Sequence, residues 1–250
     1  MTNKYPHLAL IVAFFMLCMS AQAVTREEVV AGAELLYRAR IVEAQSKFQL
    51  DNDPAFLARV QRIALGLIEQ AKREHPVTAA LDWEIHTSDD PEESAFCMAG
   101  GKMLVSHNYV NTMDLNNAEL AMLLSHEIQH AVLEHNLKEF QEALRIEPNL
   151  QKYSFLALED AVDHDETLMA KLSKFNVEQE NQADLEGLQM AWRAGWPALK
   201  LAGFFQKLAR IDPMAHFDSL EHPAPARRWQ AARKLAEELD QIKAPAVPMR

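Results

Sequence analysis

His126-Glu127-Ile128-Gln129-His130 is the segment of this chain best suited to chemistry. On an α-helix, residues four apart lie on one face. Two imidazoles so placed can grip one Zn²⁺. Glu127, beside the first of them, is positioned to take a proton from a zinc-bound water. A five-residue pattern is short enough to arise by chance, so the rest of the chain has to decide whether the chemistry is real.

A catalytic zinc site wants three protein ligands and one open position. One class of HExxH proteins takes a third His ten residues after the first, with Gly seven residues after it. Those positions are Asn136 and Leu133 here, which excludes that class. His135 does not replace the missing ligand. Nine residues from His126, on a continued helix, it falls on the opposite face and reads as a structural or second-layer residue. Another class takes a Glu from a later helix within an E-x-x-x-D pattern, and Glu180-Asn181-Gln182-Ala183-Asp184 fits it. Glu180 is the expected third ligand. Asp184, one turn on, is expected to hold the outer ring nitrogen of a ligating His and so fix its tautomer.

The elements that must carry these residues are mostly helical. Residues 25–50 and 54–74 show helical periodicity, with Pro54 near the start of the second and Pro76 after its end. The pattern alternates over 81–87, as a strand would. Two further short strands are expected at Ala95–Met98 and Lys102–Ser106, joined through Gly100-Gly101. Asn116 caps the next helix, with Glu119 as reciprocal partner, and that helix is expected to run through the HExxH segment to about Arg145. Residues 150–175 are helical in pattern but highly charged around 159–166, which reads as a solvated helix or a mobile segment. Further helices are expected over about 178–194, 197–210 and 223–241, with 211–221 as a loop and 244–250 as a disordered tail. Among other prominent side chains, Met113 and Met122 read as core filler, and Trp192, Trp196, Phe204 and Phe205 as packing residues.

Composition bounds the function. The chain has 250 residues, 49% of them apolar, enough for one domain with a sizeable core. Its formal charge of −11 argues against nucleic acid and leaves no basic stripe for anionic lipid. Lys4, the apolar run from Leu8 to Met19 and the small-x-small stretch Ala21-Gln22-Ala23 read as an export signal cleaved after Ala23. The rival is an uncleaved N-terminal anchor. Cys18 follows bulky residues and does not fit a lipid-attachment site. Removing residues 1–23 takes away Lys4 and no acid, moving the formal charge from −11 to −12. It leaves Cys97 as the one cysteine, so no internal disulfide is expected and Cys97 reads as a small buried strand residue. The catalytic domain is then residues 24–243, exported, with the periplasm as its expected location.

Four segments together resemble the gluzincin zinc metallopeptidases that include the HtpX-type and CAAX prenyl proteases, and most closely their small soluble exported members. They are Ser94–Gly101, His126–His135, Glu180–Asp184 followed by Gly187, and His222-Pro223 with Arg227 or Arg228. Ser94 departs from the pattern, where the family usually has Asn. The resemblance implies a zincin-like α+β fold, mostly helical, with a small β-sheet next to the HExxH helix. It implies one Zn²⁺ per chain, protein or peptide substrates, and a role in degrading misfolded or misassembled envelope proteins, with peripheral association to envelope assembly machinery. It also implies an edge strand at Lys102, Met103, Leu104 and Val105 to which an extended peptide would add by backbone pairing. His222 is brought near the metal, either as a stabiliser of the oxyanion or as a gate filling the open zinc position. Two readings compete with a peptidase: a zinc-binding chaperone or adaptor that cleaves little, and a chance HExxH in a helical structural protein.

Overall fold

The computed structural model describes residues 24–242, so the export signal read at 1–23 and the tail at 244–250 lie outside the described residues. Thr25 and Glu28 form a reciprocal cap for the first helix, α1 (Arg26–Ser46). Asp53 caps α2 (Pro54–Glu74) by accepting from the Ala55 and Phe56 amides, and Pro54 supplies a preset first turn. One face of α2 carries Phe56, Val60, Ile63, Ala64, Leu67 and Ile68 into the main core, the period-3.6 stripe visible in the sequence.

Three strands follow: β1 (Glu84–Ser88), β2 (Ala95–Met98) and β3 (Lys102–Ser106). The turn between β2 and β3 needs two left-handed residues in a row, and Gly100 and Gly101 supply them with φ of 87° and 88°. The order in the sheet is β1-β3-β2, with β3 parallel to β1 and antiparallel to β2. This corrects the edge-strand reading of Lys102, Met103, Leu104 and Val105. They form the central strand, paired on both sides and buried throughout, so no peptide can add to them. The charge of Lys102 hid this. Its side chain is buried and its ammonium is shared by Asp82 at 2.7 Å, Glu34 at 3.2 Å and Glu84 at 3.4 Å. The two edges belong to β1 and β2. Cys97 is a buried free thiol on β2, and burial pushes its pKa well up. Tyr37 pins α1 to the sheet by donating from its hydroxyl to the Met103 carbonyl at 3.0 Å.

A short helix that periodicity did not signal, α3 (His107–Thr112), leads into α4 (Asn117–Val132). The expected capping box is present: Asn116 Oδ1 accepts from the Ala118 and Glu119 amides, and Glu119 accepts from the Asn116 amide at 2.9 Å. The helix is buried nearly along its whole length. It does not run on to Arg145. Leu133 ends it, Glu134 turns left-handed at φ 56°, and α5 (His135–Ile146) starts in a new direction. A non-glycine residue in that conformation costs about 1 kcal/mol or more. The ion pair between Arg26 and Glu134 ties the turn to α1.

The charged stretch resolves into α6 (Phe155–His164) and the start of α7 (Glu166–Arg193), a single 28-residue helix where two segments were expected. No Gly or Pro interrupts it before Gly187. After α7 come α8 (Ala198–Leu201), α9 (Gly203–Ile211), the loop 212–224 and α10 (Pro225–Gln241). Among the described residues no helix is long and apolar enough to cross a membrane.

α4 and α7 pack closely where Gly187 meets Ser125 and His126. A Cβ at position 187 would lie 3.1 Å from the His126 amide nitrogen and 3.1 Å from the Ser125 carbonyl carbon, both rigid backbone. Helix propensity alone favours Ala over Gly by about 1 kcal/mol. At the exposed Gly66 on α2 a Cβ meets nothing within 4 Å, so Gly66→Ala should raise stability by about 0.5–1 kcal/mol. Gly187→Ala should instead lower it by about 1 kcal/mol or more, because the helices must move apart. Urea unfolding of both variants checks this; a gain at position 187 would mean the contact is slack.

Candidate active site

Helix spacing puts His126 and His130 on one face of α4, and the packing at Gly187 brings Glu180 of α7 opposite them. The two Nε2 atoms are 3.1 Å apart. Glu180 approaches them with Oε1 at 3.1 Å from His130 Nε2 and Oε2 at 3.5 Å from His126 Nε2. All three side chains offer a donor atom within 4.8 Å of one another, and among the described residues this is the one such group.

The outer sides of the two rings decide what the inner sides present. Gln182 donates from Nε2 to Glu186 at 2.7 Å, which turns its Oε1 toward His135 Nε2 at 3.4 Å. His135 therefore carries its proton on Nε2 and accepts at Nδ1, where His130 Nδ1 donates at 3.1 Å. That leaves His130 Nε2 with a bare lone pair. His126 Nδ1 lies 2.9 Å from Asp184 Oδ1, a close charge contact, although the ring N–H is not aimed squarely along it. Burial, then the charge of His130, pushes His135 down to about 3, so it serves as a neutral link. Its place here corrects the opposite-face reading of His135. The break at Glu134 swings it back onto His130, which a continuous helix would forbid.

Two imidazole nitrogens 3.1 Å apart, facing a carboxylate, form a site that attracts a cation, either a proton or a metal ion. Burial alone would lower the His126 imidazole, but Glu180 and then Asp184 outweigh it and push it up to about 9. Glu180 is held well below the usual carboxylate range because His126 and His130 overcome its burial, and its Oε2 is buried without a hydrogen-bond partner. A tetrahedron of ~2.0–2.1 Å bonds has edges of about 3.3 Å, close to the observed spacings. The donors therefore fit a zinc ion.

Arg228, one of two candidates in the C-terminal segment, completes the surroundings. It is buried on α10 and donates from Nε and Nη2 to the two oxygens of Asp184, both at 2.7 Å. Its Nη2 is also 3.6 Å from Glu180 Oε2. Arg227 points outward to Asp218. Asp184 is held below its ordinary value because Arg228, with His126, overcomes the cost of burial. Arg228 needs this pairing as much as Asp184 does: breaking a buried ion pair costs roughly 3–5 kcal/mol.

Glu127 faces the same cleft, with Oε1 4.0 Å from His126 Nε2, and burial pushes its carboxyl above the ordinary value. His222, on the 212–224 loop, is half-exposed and brings Nε2 to 3.4 Å from Glu180 Oε2. Its amide donates to Ser219 Oγ at 2.8 Å, which holds the loop in place. The cleft has a volume of about 1140 Å³, with α1, β2, α6 and the 212–224 loop contributing to its walls. β2 presents Ala95 to Met98 to it, so this edge strand lines the same cleft as His126, His130 and Glu180. Tyr109 on α3 also lines it, and burial raises its phenol to about 12, keeping it a neutral donor. Sequence spacing gave no sign of Tyr109. Glu159 and Asp163 of α6, read as a solvated face, line the cleft as well.

Nitrogen and carboxylate donors drawn from two packed helices beside a small sheet define a zincin of the gluzincin type. Comparison with known proteins narrows this: the model of peptidase family M48 matches residues 54–236, and the chain belongs to that family. Human mitochondrial metalloendopeptidase OMA1 is 35% identical over 104 residues, 41% of this chain and 19% of the relative. The beta-barrel assembly-enhancing protease of Escherichia coli K12 is 23% identical over 204 residues, 76% of this chain and 41% of the relative. Metalloprotease YcaL of the same organism is 26% identical over 171 residues, 61% of each chain. The chain thus spans less than two thirds of the length of each of these relatives.

Glu139, on the α5 wall of the cleft, yields a test of the electrostatics. Burial, with Asp163 and Glu221 adding to it, pushes its carboxyl up to about 7, against 4.5 for a free glutamate, although Asn176 donates to it at 2.8 Å. The folded state therefore keeps this proton where the unfolded chain has lost it. Below pH 4.5 the group is protonated in both states and neutral to stability. As pH rises to about 7, stability falls. Glu139→Gln should remove on the order of 2 kcal/mol of that fall, raising stability at pH 8 and leaving it unchanged at pH 4. Urea midpoints at the two pH values measure it.

Proposed function

We propose that this chain is a zinc-dependent endopeptidase of the cell envelope that degrades misfolded or misassembled proteins. The observation that carries the catalytic part is the buried His126–His130–Glu180 group with Glu127 beside it, on a cleft bordered by a free strand edge. The envelope part rests on the export signal read in residues 1–23 and on the similarity to the beta-barrel assembly-enhancing protease.

His126, His130 and Glu180 would hold a zinc ion, which when bound would supply Lewis acidity to a water and a carbonyl. The chain does the rest. An extended peptide pairs its backbone with the open edge of β2, Ala95 to Met98, and this replaces the role expected of Lys102–Val105. Glu127 takes the proton of the attacking water and passes it to the leaving amine nitrogen. Its raised pKa suits it to hold a proton between these two events. Asp184 and the Gln182–His135 pair keep both ligating rings in the tautomer that points Nε2 inward. Arg228 keeps Asp184 charged. His222 lines the cleft beside Glu180, where it would act as a gate over the three donors.

Casein digestion with zinc content measured in parallel tests this. Wild type and Glu127→Gln should both hold one zinc, and cleavage by Glu127→Gln should fall at least about 100-fold. His126→Ala should lose the zinc. Equal cleavage by wild type and Glu127→Gln would defeat the assignment, and full biological function of Glu127→Gln would favour the chaperone or adaptor reading. His222→Ala should raise basal cleavage several-fold; a drop would assign His222 to the oxyanion instead. An exported protein beginning at Val24, found by fractionation and N-terminal sequencing, is the expected form.

A further inference from the structure

The end of α9 and the loop after it display apolar side chains to solvent. Ile211 is 53% exposed, Met214 58%, Phe217 65% and Leu220 38%. Four of the thirteen large apolar residues exposed among the described residues therefore fall within ten positions. Single exposed apolar residues are ordinary on a protein surface, but Met214 and Phe217 are a pair joined by one turn and facing one cleft. The display is also held in place. Ala215, between Met214 and Phe217 in sequence, is buried and its carbonyl accepts from the Ala226 amide at 2.8 Å. The Phe217 amide donates to the Met214 carbonyl at 2.9 Å, closing a turn that brings the two residues together. Asp218 accepts from the Ala224 amide at 2.7 Å, and Ser219 Oγ accepts from His222.

Met214 and Phe217 line the same cleft as His126, Glu127, His130 and Glu180. Behind them the wall continues in Phe204 and Leu208 of α9. We propose that Met214 and Phe217 form an apolar subsite that binds one large apolar side chain of an extended polypeptide substrate. This rests on the peptidase reading above and adds a substrate class to it: unfolded segments with exposed aromatic or aliphatic residues, which folded proteins keep inside. The occupant is argued from the continuity of the patch with the cleft. Charge disfavours a lipid surface, since Asp212, Asp218 and Glu221 lie among these residues and the chain as a whole carries −11. A held, already exposed surface has little ordering to do on binding. Both side chains project into solvent, so replacing them leaves the core untouched.

The test uses the zinc-loaded exported protein, wild type and Met214→Ser/Phe217→Ser, with Leu65→Ser on the exposed face of α2 as control. The probes are labelled ten-residue peptides that carry Phe at one position at a time and Ser at the others. Wild type should prefer Phe over Ser at one position by about tenfold in kcat/KM. In the double variant that preference should shrink to about twofold or less, through a rise in KM for the Phe peptide, while Leu65→Ser retains it. Anisotropy binding of the same peptides to Glu127→Gln, with and without the double substitution, should show the same loss. This arm decides the matter even if wild type cleaves no peptide, an outcome that would defeat the peptidase reading alone. The subsite is overturned if wild type has no apolar preference, if the preference survives in the double variant, or if all peptides lose rate equally, as they would if the loop only held His222. It is also overturned if the double substitution abolishes a dimer seen by sedimentation, which would assign the patch to a second copy. Loss of binding to phosphatidylglycerol vesicles would assign it to a membrane and likewise overturn the subsite.

Discussion

The contact between α4 and α7 at Gly187 is the constraint from which the rest of the site follows. Two helices that carry the donors between them approach until a carboxylate and two imidazoles lie within reach of one ion. Gly187 permits that approach because it has no Cβ to meet the backbone of Ser125 and His126. Once the axes are that close, Glu180 and Asp184, one turn apart on α7, reach His126 from its inner and outer sides. The ligand and its support come from one helix face, so the rotation that positions one positions the other.

Such proximity is costly in charge. Burying Glu180, Asp184, Glu127 and two imidazoles disfavours folding unless each charge finds a partner. Arg228 meets part of this need from α10, more than forty residues further along the chain, by bonding both oxygens of Asp184 and lying near Glu180. The inner nitrogens face each other and Glu180, and the three donors lie close enough to share one cation. Metal affinity and stability should be linked for this physical reason.

The break at Glu134 shows how a small local cost shapes the outer layer. A continuous helix would have carried His135 to the far side of α4. The left-handed turn redirects the chain, and His135 returns to fix the tautomer of His130. The same redirection sends α5 along the cleft, where Glu139 and Phe140 line its wall, and α6 closes on it through Phe155, whose ring stacks edge-on against Phe140 with centroids 5.3 Å apart. The charged stretch 159–166 thus has one side turned to the cleft rather than wholly to solvent.

The amino-acid sequence alone singled out the residues that the structure brings together at the site, because spacing on a helix is a local property. His126 and His130 could be named from an i, i+4 step and Glu180 with Asp184 from the downstream E-x-x-x-D pattern, and the Asn116–Glu119 cap and the spans of β2 and β3 from similarly short-range rules. The sequence could not rank β3 inside the sheet, since strand order depends on pairing between distant segments and Lys102 made a buried strand look peripheral. Nor could it choose between Arg227 and Arg228, place Tyr109 on the cleft or turn His135 inward. Each of those depends on where one element sits against another, and that is settled by packing across the whole chain rather than by the period of any one segment.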